Sequence, residues 1–243
     1  MSAAAPAPPP ALGSARYFMW LYCPRPKRRA LTTLLALGEQ LSAGIERQLD
    51  HSLAHGRLQW WRQEAQRFAQ GAPEHPWLIA WRREGDPELN LAPLIEAAAI
   101  DLASQQLAGT TGHRLTQALV VAAARVLTLA PLSPGHEQSL RELGGWLGQL
   151  ESGAAQDALA QLHQAPVLIE PGLQPQLGPV LVWIALAAHH ARRRARRAGA
   201  ASAQSKHSRF DGLVDNITAW RVARRAARGQ FHLEDVRTDE CHG

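Results

Sequence analysis

Glu46 and Asp50 stand four residues apart, as do Asp211 and Asp215, so on a helix each pair would project from one face. Two carboxylates so placed could share a hard divalent cation. Solvated charges, or acids complementing a helix start, have the same spacing. His189 and His190 precede Arg192, Arg193, Arg194, Arg196 and Arg197. That block could grip phosphate oxygens of an anionic lipid or RNA, or it could complement the C-terminal end of its own helix. Trp60 and Trp61 are adjacent, about 100° apart around a helix, so one indole enters the core while the other meets a second helix or a cavity. The histidines form no HExxH pattern, and GxSxG, P-loop and GxGxxG stretches are missing, which leaves hydrolase, NTPase and dinucleotide readings without support. Cys23 and Cys241 have no CxxC spacing, so neither a disulfide framework nor a zinc knuckle is indicated, and a reducing cytoplasm fits.

The elements that must position these groups read as helices. A chain of 243 residues can bury a substantial core, and one large domain is expected. Alanine is abundant while β-branched runs are short, so the fold class is all-α. The net charge of +5 comes from arginine and lies late in the chain. Leu31, Leu34, Leu35, Leu37, Leu41 and Ile45 predict a helix over 27–47. Gly56 marks a break, after which Leu58, Trp61, Ala65 and Phe68 share a face until Gly71 and Pro73. Further helices are expected from Asn90 or Pro93 to Leu107, over 115–129, 136–150 and 154–163, then over 180–197 and 210–228. Gly144, Gly145 and Gly148 would let a neighbouring helix approach closely. Pro166, Pro171, Pro175 and Pro179 read as a surface connection. Residues 1–15 are an Ala/Pro-rich, disordered lead, 16–231 the helical domain and 232–243 a mobile acidic tail. The most apolar run, 180–188, falls short of the roughly 20 residues that span a bilayer. A cytoplasmic protein is expected, with attachment to the inner face of a membrane open.

The order of these features resembles the squalene/phytoene synthase family of head-to-head prenyl transferases. The resemblance begins at Tyr17-Phe18 and Pro24-Arg25-Pro26-Lys27-Arg28-Arg29-Ala30. It continues through Leu58-Gln59-Trp60-Trp61-Arg62-Gln63-Glu64 and Gly71-Ala72-Pro73-Glu74-His75-Pro76. Leu94-Ile95 with Asp101-Leu102, Glu142-Leu143-Gly144-Gly145-Trp146-Leu147-Gly148-Gln149-Leu150 and Trp220-Arg221-Val222-Ala223-Arg224 complete it, over most of residues 16–231. It implies an isoprenoid (terpenoid) synthase-like helical bundle around an apolar prenyl cavity, here truncated in its second half.

The resemblance also implies two aspartate-rich segments that hold Mg²⁺ against diphosphates. In this chain Ser42 and Ala43 stand where the first paired aspartates are expected, Glu39 stands where an arginine is common, and only Glu46 keeps a carboxylate. The second segment is missing after Leu150, and Asp157 is a lone acid. The expectation is therefore a noncatalytic relative with no cofactor, a pseudoenzyme that binds a prenyl lipid or helps assemble a protein complex. Leu34, Leu37, Trp61, Leu119 and Val120 would line the cavity or simply fill the core. The alternative is a working transferase condensing two allylic prenyl diphosphates, its Mg²⁺ held by Glu46 and Asp50, with Glu46 the catalytic candidate. An anionic membrane surface at Arg192, Arg193, Arg194, Arg196 and Arg197 is a further expected partner, ahead of nucleic acid.

Overall fold

The computed structural model describes residues 6–46, 51–83, 89–108, 113–152, 169–199 and 211–232, excepting the side chains of 45, 46, 51, 106–108, 197–199 and 211. Every regular element among the described residues is helical, as the alanine-rich, strand-poor sequence requires. In chain order these are α1 (Ala15–Leu21), a 3-10 turn (Arg25–Lys27), α2 (Arg28–Glu46), α3 (His51–Gln70) and α4 (Pro76–Arg83). Then follow α5 (Ala92–Ala108), α6 (Arg114–Leu127), α7 (Pro134–Ser152), α8 (Gln174–Gly199) and α9 (Asp211–Ala226).

Two helices organise the packing. The buried Leu115, Leu119, Val120, Ala123, Ala124 and Leu127 of α6 meet α2, α5, α7 and α8. In α8, every residue from Val180 to Ala188 is buried, the pattern of a helix enclosed all round, and it contacts α1, α6, α7 and α9. Trp183 at its centre donates its indole N–H to Glu151 at 2.9 Å, and Arg16 lies 5.2 Å over its ring.

Some boundaries differ from the sequence reading. Gly56 does not break the chain: α3 runs through it, and the position opens onto empty space, where a helix tolerates glycine at about 1 kcal/mol. Pro175 and Pro179 do not belong to a surface connection, because α8 already begins at Gln174. Pro175 falls in the first turn, where its missing N–H costs nothing. Pro179 is carried inside a helix whose flanking Leu177 and Val180 are buried. The short helices α1 and α4 were not separately legible. Ser14 caps α1 by accepting the Tyr17 N–H at 3.0 Å. The expected helix over 154–163 lies outside the described residues, as do 233–243.

Charged side chains join helix ends across the bundle. Buried Asp101 of α5 accepts the N–H groups of Arg114 and Leu115 at 3.0 and 2.9 Å, completing the first turn of α6. Glu64 of α3 does the same for α4, accepting the N–H groups of Glu74 and His75 at 2.9 and 2.8 Å. Cations occupy the opposite poles. Lys27 donates to the Leu127 carbonyl at 2.6 Å, Arg82 to Phe68 at 2.6 Å, and Arg194 to Leu150. In each pair one element presents a side chain where the other has unsatisfied backbone groups, and α3 and α4 do so for each other.

Candidate functional site: a pocket of tryptophan and arginine

A hollow of about 510 Å³ opens between α1, α2, α4 and the segment Pro6–Pro9. Trp20, Trp77 and Trp81 wall it, and Arg28, Arg29 and Thr33 stand on its α2 side. Arg28 fixes the corner. It donates to the carbonyls of Cys23 at 2.9 Å and Leu21 at 2.7 Å, and its guanidinium lies 5.2 Å over the Trp20 ring. The end of α1 is thereby held to the start of α2, with the indole between them.

The opposite wall depends on the Trp-Trp-Arg-x-Glu stretch. Trp61 is buried and Trp60 is 38% exposed, with their rings edge to face at 5.0 Å, as adjacent helical positions require. His75 packs 5.3 Å from Trp61 and 5.0 Å from Trp77, and its Nδ1 accepts the Trp77 N–H at 3.2 Å. Burial pushes the His75 pKa down, against the opposing pull of Glu64, which favours the neutral ring that this bond needs. Glu64 itself is fully buried and receives Arg67 Nε at 2.8 Å beside the two backbone N–H groups. Two tryptophans and a glutamate on α3 therefore seat the start of α4. Seating α4 places Trp77 and the buried Trp81, four residues apart on one face, against the hollow.

Indole faces around guanidinium groups suit a ligand with an apolar body and an anionic head. A cysteine nucleophile does not complete the corner. Burial pushes the Cys23 thiol up to about 11 despite Arg28 and Lys27, so it stays protonated at neutral pH.

The residues expected to line a prenyl cavity lie elsewhere. Leu34, Leu37, Trp61, Leu119 and Val120 are all buried members of one core cluster. The gap bounded by Gln40, Leu41, Gly44, Leu58, Trp61 and Leu102 has about 10 Å³, no more than a single water needs. No family model matches the chain, and no curated protein or solved structure matches it either.

Asp50, Asp157 and the side chains of Glu46 and Asp211 fall outside the described residues. Among the described residues, no group of three or more His, Cys, Asp and Glu side chains is arranged to hold a metal ion. Asp215 turns inward to α8, where His190 Nε2 approaches it at 3.1 Å, Arg193 at 3.5 Å and His189 Nε2 at 3.7 Å. Of the arginine block, Arg193 and Arg194 thus also serve packing, through Asp215 and the Leu150 carbonyl, while the Arg197 side chain is not described. Trp20, Trp77 and Trp81 escaped the sequence reading. The four-residue spacing of Trp77 and Trp81 was the available signal.

Proposed function

We propose that this chain is a noncatalytic, divergent squalene/phytoene synthase-like protein that binds a prenyl or other lipid-like anion and serves a lipid-binding or complex-assembly role. The observation that carries this reading is the position of the open volume. The hollow at Trp20, Trp77, Trp81, Arg28 and Arg29 measures about 510 Å³, within the size range of small-molecule sites, whereas the core at Leu37, Trp61 and Leu119 is filled. In addition, Ser42 and Ala43 replace the carboxylates that the family resemblance calls for, and the buried carboxylates of Glu64 and Asp101 are committed to helix starts. In the pocket the arginines would meet the phosphate and the indoles the first isoprene units.

Titration of the full chain with farnesyl diphosphate, followed by tryptophan fluorescence and calorimetry, tests this. Saturable binding without release of diphosphate in Mg²⁺ is expected. Trp77→Ala should weaken it, and Arg29→Gln should weaken it by about tenfold, the scale of one charge-assisted hydrogen bond. Diphosphate release in Mg²⁺ that Glu46→Gln abolishes would instead establish the transferase, and absence of binding would remove the pocket from consideration.

A further inference from the structure

Helix α9 is apolar on the wrong side as well as the right one. Its buried face, Asp215, Thr218, Ala219, Val222 and Ala226, recurs at steps of one, three and four residues and packs on α8. Directly opposite, at steps of three and four, stand Leu213, Ile217, Trp220 and Arg224. Leu213 is 57%, Ile217 41% and Trp220 49% exposed, so three large apolar side chains form the outermost ridge of the helix. An isolated exposed leucine needs no explanation, but a continuous ridge of this kind does.

Among the described residues, the charged side chains on the exposed face of α9 are all arginines. Arg224 lies 5.1 Å over the Trp220 ring, and Arg221, Arg225 and Arg228 are exposed on the same half of the helix or just beyond its end. Helix α8 runs antiparallel beside it: Asp215, near the start of α9, meets His190 and Arg193, while Gly178, near the start of α8, packs against Ala226. The exposed Arg224, Arg225 and Arg228 lie toward the Trp220 end of the ridge, and α8 supports the opposite face of the helix. No Asp or Glu occurs between Glu170 and Asp211, and Asp215 is buried under the helix.

We propose that α9 is a membrane-docking surface that lies in the plane of an anionic phospholipid headgroup layer. Leu213, Ile217 and Trp220 enter the boundary of the acyl chains, and Arg221, Arg224 and Arg228 meet the lipid phosphates. A convex apolar ridge with cations along its flank and at one end matches a layer that is apolar beneath and negative at its surface. Trp220, with Arg224 over its ring, has the form of side chains that settle at such a boundary. A neutral bilayer offers the arginines no net opposite charge, and a nucleic acid would leave the ridge in water. No helix among the described residues is long and apolar enough to cross a membrane, so the attachment is to one face. The proposal is independent of what occupies the pocket at Trp77.

Co-sedimentation of the full chain with vesicles of phosphatidylcholine, alone or mixed with phosphatidylserine, tests it. Binding to the anionic vesicles alone, weakened by salt, is expected. Arg221→Glu and Arg224→Glu should each lower it by at least about fivefold, the usual effect of one cation near a charged bilayer. Ile217→Asp with Trp220→Asp should lower it by at least about tenfold while the helical circular dichroism stays unchanged, since both positions face water. As a measurement that needs no disruptive variant, brominated phosphatidylserine should quench the chain's fluorescence, and Trp220→Phe should remove most of that quenching without preventing sedimentation. Equal binding to neutral and anionic vesicles overturns the proposal. So does binding that survives the double aspartate variant, a self-associated form that Ile217→Asp dissociates in the absence of lipid binding, or RNA binding sensitive to Arg221→Glu but not to Ile217→Asp.

Discussion

Leu119 of α6 lies directly on Gly38 of α2, so that a Cβ at Gly38 would come 2.7 Å from both of its δ-carbons. The leucine fills the room that the missing side chain leaves, so the two helices meet closely at this point. Leu119→Ala should therefore cost about 3–5 kcal/mol, the sum of lost burial and an unfilled void. Gly38→Ala introduced into that background should recover at least about 1 kcal/mol, because alanine favours the helix and its methyl occupies vacated space. Urea unfolding of the single and double variants measures this. Strict additivity of a destabilising Gly38→Ala in both backgrounds would show that the two residues do not share the space.

Glu64 offers a second prediction, because one carboxylate serves two backbone N–H groups and Arg67. Replacement by alanine would strand all three donors, and about 3 kcal/mol of stability should go with them. Glu64→Gln keeps an oxygen for the Glu74 and His75 N–H groups but turns an amide toward Arg67, so its cost should be smaller. Since the wall of the pocket stands on α4, ligand binding at Trp77 should weaken in both variants in the same order. A Glu64→Ala protein of native stability would mean that α4 does not rest on this residue.

Much of the bundle could be read from the chain because burial on one side of a helix repeats at three and four residues. Leu31, Leu34, Leu35 and Leu41 announce α2 in this way, and the continuous apolar run of α8 announces a helix enclosed by others. Gly56 misled because propensity is only a weak prior: on an open face a glycine weakens a helix without ending it. Pro175 and Pro179 misled because the start of α8 is set by burial of Leu177 and Val180, which a local rule cannot see. The pocket was the least legible part. Trp20 and Trp77 lie far apart in sequence, and what joins them is the capping of α4 by Glu64 together with the hold of Arg28 on the end of α1. Asp215 illustrates the same limit. Its spacing from Asp211 pointed to a shared face, while its partners, His190 and Arg193, come from another helix.

Acid should weaken the fold through His75 and His113. Burial pushes both below the ordinary value of 6.5, and the nearby Glu64 and Asp101 oppose that push without cancelling it. Between the lowered folded value and 6.5 the unfolded chain binds more protons than the folded one, so stability rises with pH across that interval. These two groups thus leave stability undiminished above 6.5, reduce it as the pH falls through the interval, and reduce it no further below their folded values. His113 makes no side-chain cap to α6, so His113→Gln tests its share most cleanly. The difference in stability between wild type and His113→Gln, from urea unfolding at a series of pH values, should shift in favour of the variant as the pH drops below 6.5. A difference independent of pH would show that His113 titrates as it does in the unfolded chain.

Neighbouring glycines in α7 should respond oppositely to the same substitution. A Cβ at Gly144 would stand 2.6 Å from the Cα of Gln117 and 3.1 Å from both the Gln117 nitrogen and the Thr116 carbonyl oxygen, all atoms of the α6 backbone. None of them can rotate away, so Gly144→Ala must push the two helices apart. The cost should be about 1–3 kcal/mol even after the gain in helix propensity. At Gly145 the closest atom is Gln117 Nε2 at 3.1 Å, the far end of a flexible side chain on a half-buried surface. Gly145→Ala should therefore be neutral or stabilising by up to about 1 kcal/mol, as the glutamine swings aside. Thermal and urea unfolding of the two variants side by side decides the matter. If Gly144→Ala proved the milder change, α6 and α7 could not approach each other across Gly144 as closely as described, and the glycines of α7 would need a reason other than packing.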